Sequence, residues 1–135
     1  MLRVVDAAQA LADLTEISSQ IVEAAIVGED GAVLASTFDD EQRAQQFAAG
    51  LERFLAEADA VRAAHGLPGL TQLEAATLDG SVFVVRGGDR RPIVAAVTRP
   101  EPTVGLVFYD LKHCLRSIDD EPKPRTRRRR ADAAA

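Results

Sequence analysis

The sequence predicts an α/β fold of the α+β type, a three-layer sandwich whose five-stranded antiparallel sheet has helices on both faces, in the order α-β-β-α-β-β-β-α. Apolar residues recur at helical spacing in three segments, and turn residues separate five short strand-like segments. Residues 82–85 and 93–97 are apolar on both alternating faces. An antiparallel sheet with one wet face would alternate, so helices are expected to cover both faces. The long second helix is expected on one face, and the first and last helices on the other.

The chain begins with a predicted helix that ends near Ser18 and Ser19. Its apolar residues recur every three or four positions and are Val4, Ala8, Leu11, Leu14 and Ile17. Residues 21–27 then turn apolar and β-branched, which predicts a strand. The turn signal at residues 28–31 leads to a return strand over residues 32–36, so this segment is expected to form a hairpin.

The second helix is the longest predicted element. Asp39 is the expected N-cap, with Gln42 three residues later in the capping-box position. The helix is expected to run to about Ala64, after which Gly66 provides the C-cap. Its apolar stripe consists of Ala44, Phe47, Ala48, Leu51, Phe54, Leu55, Ala58 and Val61.

A strand meander and a third helix follow. Residues 70–78 predict a strand, Asp79-Gly80 a type I′ turn, and residues 81–85 the partner strand. A further turn leads into the strand at residues 93–97. Thr103 then caps a third helix, whose apolar stripe is Val104, Val107, Phe108, Leu111, Cys114, Leu115 and Ile118.

Composition excludes several classes of protein. The chain has 135 residues, enough for one domain with its own core. Its single cysteine, Cys114, rules out an internal disulfide framework and multi-cysteine metal motifs, which is typical of a reducing compartment. No segment has the length and apolarity of a membrane span. We therefore expect a cytoplasmic protein.

The basic residues are concentrated near the C-terminus. The net charge is −5, yet residues 122–135 contain only one acidic residue. The six cations of this segment are Lys123, Arg125, Arg127, Arg128, Arg129 and Arg130. This segment has no apolar side chain larger than alanine and so cannot contribute to a packed core. We therefore expect a domain at residues 1–118 followed by a disordered basic tail at residues 119–135. The tail either solubilises the chain or makes weak, salt-dependent contacts with nucleic acid or an anionic surface.

The sequence contains no convincing catalytic, cofactor-binding or metal-binding residues. Cys114 lies on an apolar stripe and points away from the adjacent His113, so core packing is the expected role of its thiol. The acidic residues 39–41 are better explained by helix capping than by metal binding. Residues 86–91 lack the spacing of a phosphate-binding loop. No cofactor is expected, and the protein is predicted not to be an enzyme.

Three segments carry a family resemblance. Residues 23–36, the hairpin at 79–86 and the closing segment 105–111 resemble the Roadblock/dynein light chain family, and the likeness extends over roughly residues 4–118. It implies a profilin-like fold, related to longin domains, with the third strand at a sheet edge. It also implies dimerisation through that strand and the second helix, and a role as a platform or regulator for a small Ras-like GTPase, or as an adaptor light chain.

The residues themselves point to the same partner surface. Gly50 interrupts the second helix at a cost of about 1 kcal/mol relative to alanine, and a glycine there lets a second backbone approach closely. The third strand contains no proline or lysine, so an unpaired edge would be an aggregation risk that pairing removes. The predicted interface consists of Gln46, Gly50, Arg53, Glu57, Leu70, Gln72, Leu73, Glu74 and Ala76.

Three alternatives to a GTPase-binding homodimer stay open. A related Roadblock protein could replace the second copy in a heterodimer. The activity could instead belong to the arginine-rich tail of a scaffold or nucleic-acid-associated adaptor. A small-molecule sensor that uses a cleft of the fold has no polar cluster to support it.

Overall fold

The structure, a computed structural model, describes residues 5–87 and 92–118. The predicted elements are present in the predicted order. They are α1 Ala7–Ile17, β1 Ile21–Val27, β2 Val33–Ser36, α2 Glu41–Ala63, β3 Gln72–Thr77, β4 Gly80–Arg86, β5 Ile93–Thr98 and α3 Val104–Ile118.

The five strands form one antiparallel sheet in the order β2-β1-β5-β4-β3. β5 lies at the centre, between β1 and β4, and β3 pairs only with β4. β3 is therefore at an edge, as the family resemblance implied.

Helices cover the sheet on both faces, which explains why its central strands are apolar throughout. Phe83 and Val94 face α1 and α3 in one core cluster. Their chain neighbours Val84 and Ala95 face α2 in the other cluster. Successive side chains of a strand point to opposite faces, so each central strand supplies both cores.

The helix N-termini differ slightly from the prediction. α2 is capped by Asp40, whose Oδ1 accepts a hydrogen bond from the backbone N–H of Gln42 at 2.9 Å, and not by Asp39. Asp6 caps α1 in the same way by accepting from the Gln9 N–H at 2.9 Å. Adjacent aspartates are equivalent in composition, so the sequence does not distinguish them, and in the structure Asp40 has the extended backbone of an N-cap residue.

The predicted apolar stripes were too wide. In α1, Ile17 and Ala8 are exposed, and Ala10 is buried instead. In α2, the buried residues are Ala44, Ala48, Leu51 and Leu55, a narrow row at helical spacing. Phe54 and Val61 lie to one side of this row and remain 42% and 63% exposed. A single helix on a sheet buries only the residues directly beneath its axis, so the flanking residues stay accessible.

The turn between β3 and β4 is shifted by one residue from the prediction. Thr77 pairs with Gly80, so the two-residue connection is Leu78-Asp79 and not Asp79-Gly80. Neither connecting residue has a positive φ, which a type I′ turn would require. Gly80 has the positive φ, at 148°, and is the first residue of β4.

Candidate functional site: the edge strand and the second helix

The edge strand β3 presents a short, accessible row of residues. Gln72 and Ala76 are exposed, whereas Leu73 and Glu74 are half-buried. Leu70, which lies in the segment leading into β3, is also half-buried. The strand has neither proline nor lysine, the residues that commonly protect an edge from pairing. Its outer backbone groups are therefore suited to pair with another strand.

The outer side of α2 combines polar and apolar residues. Gln46, Arg53 and Glu57 are exposed and Gly50 is half-buried, as expected for a row facing away from the sheet. Next to this row lie Phe54 and Val61, four and eleven residues after Gly50 and thus on the same side of the helix. Large exposed apolar side chains beside a glycine favour contact with another protein. We call the nine predicted interface residues together with Phe54 and Val61 the β3–α2 surface.

A partly buried ion pair connects α2 to the segment before β3. Nη2 of Arg86, at the end of β4, donates to Oδ1 of Asp59 at 2.6 Å, and its Nε donates to the Leu70 carbonyl at 2.7 Å. Asp59 Oδ1 also accepts from the Leu70 N–H at 3.0 Å. The Arg86 side chain is only 7% exposed. This Asp59–Arg86 pair holds the C-terminal half of α2 and the start of β3 in one rigid arrangement.

A tight helix end reinforces that arrangement. The Leu67 N–H donates to the Arg62 carbonyl at 3.0 Å, and the Gly66 N–H donates to the Ala63 carbonyl at 2.9 Å. These are the two bonds of a Schellman motif, and Gly66 adopts the positive φ of 73° that the motif requires. The chain therefore reverses at the predicted glycine and is directed toward β3.

Sequence reasoning missed four residues of this region. Arg86 was noted only as a member of the hairpin at 79–86 and of the segment 86–91, and Asp59 received no role. Phe54 and Val61 were assigned to the core because a helical stripe alone does not reveal how wide a face the sheet covers.

Removing the carboxylate of the ion pair is expected to destabilise the fold. Asp59→Ala leaves the buried Arg86 guanidinium without its carboxylate and should lower the free energy of unfolding by about 3 kcal/mol. The matched control is Glu52→Ala on the same helix, because Glu52 forms no ion pair among the described residues. It should change stability by less than about 0.5 kcal/mol. Urea unfolding at one fixed protein concentration measures both, and equal effects would contradict a stabilising role for the pair.

The described residues hold no metal-binding cluster, and their cysteine is buried. Among them, no group of three or more His, Cys, Asp or Glu side chains is arranged to hold a metal ion. Cys114 is buried, and its Sγ donates to the Ala10 carbonyl at 3.7 Å. Burial raises the pKa of this thiol to about 12, so the reactive thiolate is scarce at neutral pH. His113, the next residue along the helix, is exposed.

Solved structures show which fold this is. The Roadblock/LC7 domain from Streptomyces avermitilis matches with a TM-score of 0.72 at 17% identity, covering 84% of this chain and 94% of that one. The chain has the Roadblock fold. The gliding protein MglB from Thermus thermophilus matches with a TM-score of 0.70 at 14% identity, covering 87% and 92%. LokiProfilin2, solved with rabbit actin, matches at 0.54 and 17% identity, covering 82% and 93%, in keeping with a profilin-like architecture.

The Roadblock fold of this chain is evident from structural likeness. No protein-family model matches the chain, and no curated protein matches it. Among the described residues, no helix has the length and apolarity to cross a membrane. The predicted tail cations, Lys123 to Arg130, lie outside the described residues, so the tail predictions stay predictions.

Proposed function

We propose that this Roadblock-fold protein forms a homodimer through the β3–α2 surface and that the dimer binds and regulates a small Ras-like GTPase without catalysing a reaction itself. The proposal rests on the unprotected edge strand β3, on the hydrogen bond from the Leu70 N–H to Asp59 that ties the segment before β3 to α2, and on the exposed apolar side chains of α2. An accessible edge strand offers a second copy backbone pairing, and an accessible apolar helix side offers it hydrophobic contact.

The dimer would join two sheets at their edges. Two copies of β3 related by a two-fold axis pair antiparallel, so each contributes the same backbone groups and the edge is removed. The two α2 helices then meet on one side of the joined sheet. There Phe54 and Val61 lose water contact, and Gly50 gives the opposing backbone room to approach.

The fold and the kind of surface both support a small GTPase as the partner. Roadblock-family proteins, which the sequence resembles, serve as platforms or regulators for such GTPases. One solved MglB structure has a tetrameric arrangement, which shows that this fold supports higher assembly in that protein. Paired α2 helices can bias the switch regions of a GTPase between conformations by differential contact alone, so no acid, base or nucleophile is required.

Affinity capture tests the proposal with three forms of the protein. Residues 1–135, the shortened chain 1–118, and an interface variant with Gly50→Arg and Ala76→Lys are each used as bait in an extract of the source cells. We expect the first two to recover a small GTPase, identified by mass spectrometry, and the interface variant to recover about tenfold less. The purified GTPase should then hydrolyse or exchange its nucleotide at a different rate when the dimer is added.

Other outcomes identify the alternatives. Loss of every partner from the chain 1–118 would move the function to the arginine-rich tail. Recovery of a second Roadblock-fold protein in equal amount would replace the homodimer with a heterodimer. An unchanged nucleotide rate with stable GTPase binding would leave an adaptor in place of a regulator.

A further inference from the structure

A groove runs between α1 and α3, on the face of the sheet opposite α2. Its volume is about 580 Å³, and it is lined by residues of the two terminal helices. Ile17 of α1 and Tyr109 of α3 line it and are 63% and 62% exposed. The β3–α2 surface does not include these residues, so the groove is a second, separate surface.

The groove is acidic. Its lining includes the carboxylates of Asp13, Glu16 and Asp110 and, among the described residues, no lysine or arginine. No ion pair compensates these three carboxylates within the described part of the chain. Asp13 accepts a hydrogen bond from the Gln9 side-chain amide at 2.8 Å. Burial raises the pKa of Asp110, although the neighbouring His113 lowers it.

The described chain ends at one end of this groove. The Val5 N–H donates to the Ser117 carbonyl at 2.9 Å, so the start of α1 lies beside the end of α3 and the two helices are antiparallel. From Ser117 to Tyr109 the groove follows eight helical residues, about 12 Å. Residues 119–127 can span up to about 30 Å when extended. This linker is longer than the groove, so the arginines that follow it can reach any part of the groove.

We propose that residues 127–130, four consecutive arginines, dock into the α1–α3 groove of their own chain. Guanidinium groups pair bidentately with carboxylates, and Asp13, Glu16 and Asp110 supply three of them. A further guanidinium fits over the Tyr109 ring, and the arginine methylenes cover Ile17. An arginine segment suits this groove because its guanidinium groups pair with the carboxylates while its methylene groups cover the apolar residues.

Docking would control whether the arginine segment is available to other molecules. While the arginines occupy the groove they are withheld from nucleic acid or anionic surfaces, and a competing polyanion would release them. The groove and the β3–α2 surface lie on opposite faces of the sheet, so docking leaves dimerisation unaffected. The proposal is therefore independent of the GTPase.

A spin label placed beside the arginines tests the docking. Ala131→Cys provides one reactive thiol, since the buried Cys114 has a pKa of about 12 and is spared by the reagent at pH 7. In a nitroxide-labelled, ¹⁵N-labelled chain at low salt, amides along the groove should lose about half of their intensity, and β3 amides should lose little. Raising the salt to about 0.5 M should restore most of the signal, because partly exposed charge pairs are screened.

Three comparisons decide the outcome. Asp13→Asn with Glu16→Gln and Asp110→Asn keeps side-chain shape and removes charge, and it should abolish the broadening, as should replacing residues 127–130 with glutamine. In the third comparison, a ¹⁵N-labelled chain without nitroxide is mixed with a nitroxide-labelled chain that contains ¹⁴N. Broadening of the ¹⁵N signals would then show that a second copy supplies the arginine segment. Broadening in that mixture, broadening that survives the neutral groove variant, or even broadening over the whole surface would each overturn the proposal.

Discussion

Replacing Gly80 with alanine is expected to lower the free energy of unfolding by more than about 3 kcal/mol. A Cβ atom at this position would lie 2.2 Å from the backbone oxygen of Thr98, a distance that real Cβ atoms do not show. The backbone φ of 148° is also one that only glycine adopts readily. Thr98 is 2% exposed and its Oγ accepts from the Ser81 N–H at 3.2 Å, so the opposing backbone has little freedom to move.

Gly105 provides the matched control for this substitution. It lies in α3, and a methyl group added there would have no heavy atom within 4 Å beyond its own helix backbone and chain neighbours. Gly105→Ala should therefore raise stability by up to about 1 kcal/mol, because alanine is the better helix former. Urea unfolding of both variants at the same protein concentration measures the difference. A loss of less than about 1 kcal/mol for Gly80→Ala would contradict the close approach to Thr98.

The sequence was informative about elements because each leaves a local signal. Helical periodicity, the glycine-containing turn at residues 28–31 and the glycine after α2 placed all eight elements in order. The errors concern choices between neighbours. Asp39 and Asp40 are equally good helix caps by composition. The Asp79-Gly80 pair predicted a type I′ turn, but Gly80 instead begins β4, where a side chain would collide with Thr98 of β5.

The candidate site was less predictable because it depends on contacts distant in sequence. Asp59 and Arg86 are 27 residues apart, and neither has a neighbour that indicates the pairing. The exposure of Phe54 and Val61 follows from how α2 crosses the sheet, which periodicity does not specify. Gly50, by contrast, was selected from the sequence alone because glycine within a helix has an intrinsic cost, and its place in an interface stays a prediction.

The substitutions Gly50→Arg and Ala76→Lys together are expected to weaken dimerisation by at least about 100-fold, roughly 3 kcal/mol. Arginine at position 50 places a long charged side chain where two α2 helices would approach. Lysine at position 76 adds a charge to each edge strand, and the two charges repel across the two-fold axis. Ala76 is preferred to Leu73 for this purpose, because Leu73 packs partly against the α2 core and its loss would also affect folding.

A control variant separates the interface from general effects of added charge. Gly105→Arg with Ala8→Lys introduces the same two residue types at open positions on α3 and α1. Both variants add two positive charges to the chain, so differences in solubility or nonspecific repulsion affect them equally. Only the first pair changes the β3–α2 surface.

Light scattering during size-exclusion chromatography tests dimerisation through the β3–α2 surface most directly. One chain has a mass of 14.5 kDa. The unsubstituted protein and the control variant should elute with twice that mass, and the variant with Gly50→Arg and Ala76→Lys should elute with the mass of one chain. A dimer mass for that variant, or a single-chain mass for the unsubstituted protein at every concentration measured, would contradict the proposed interface.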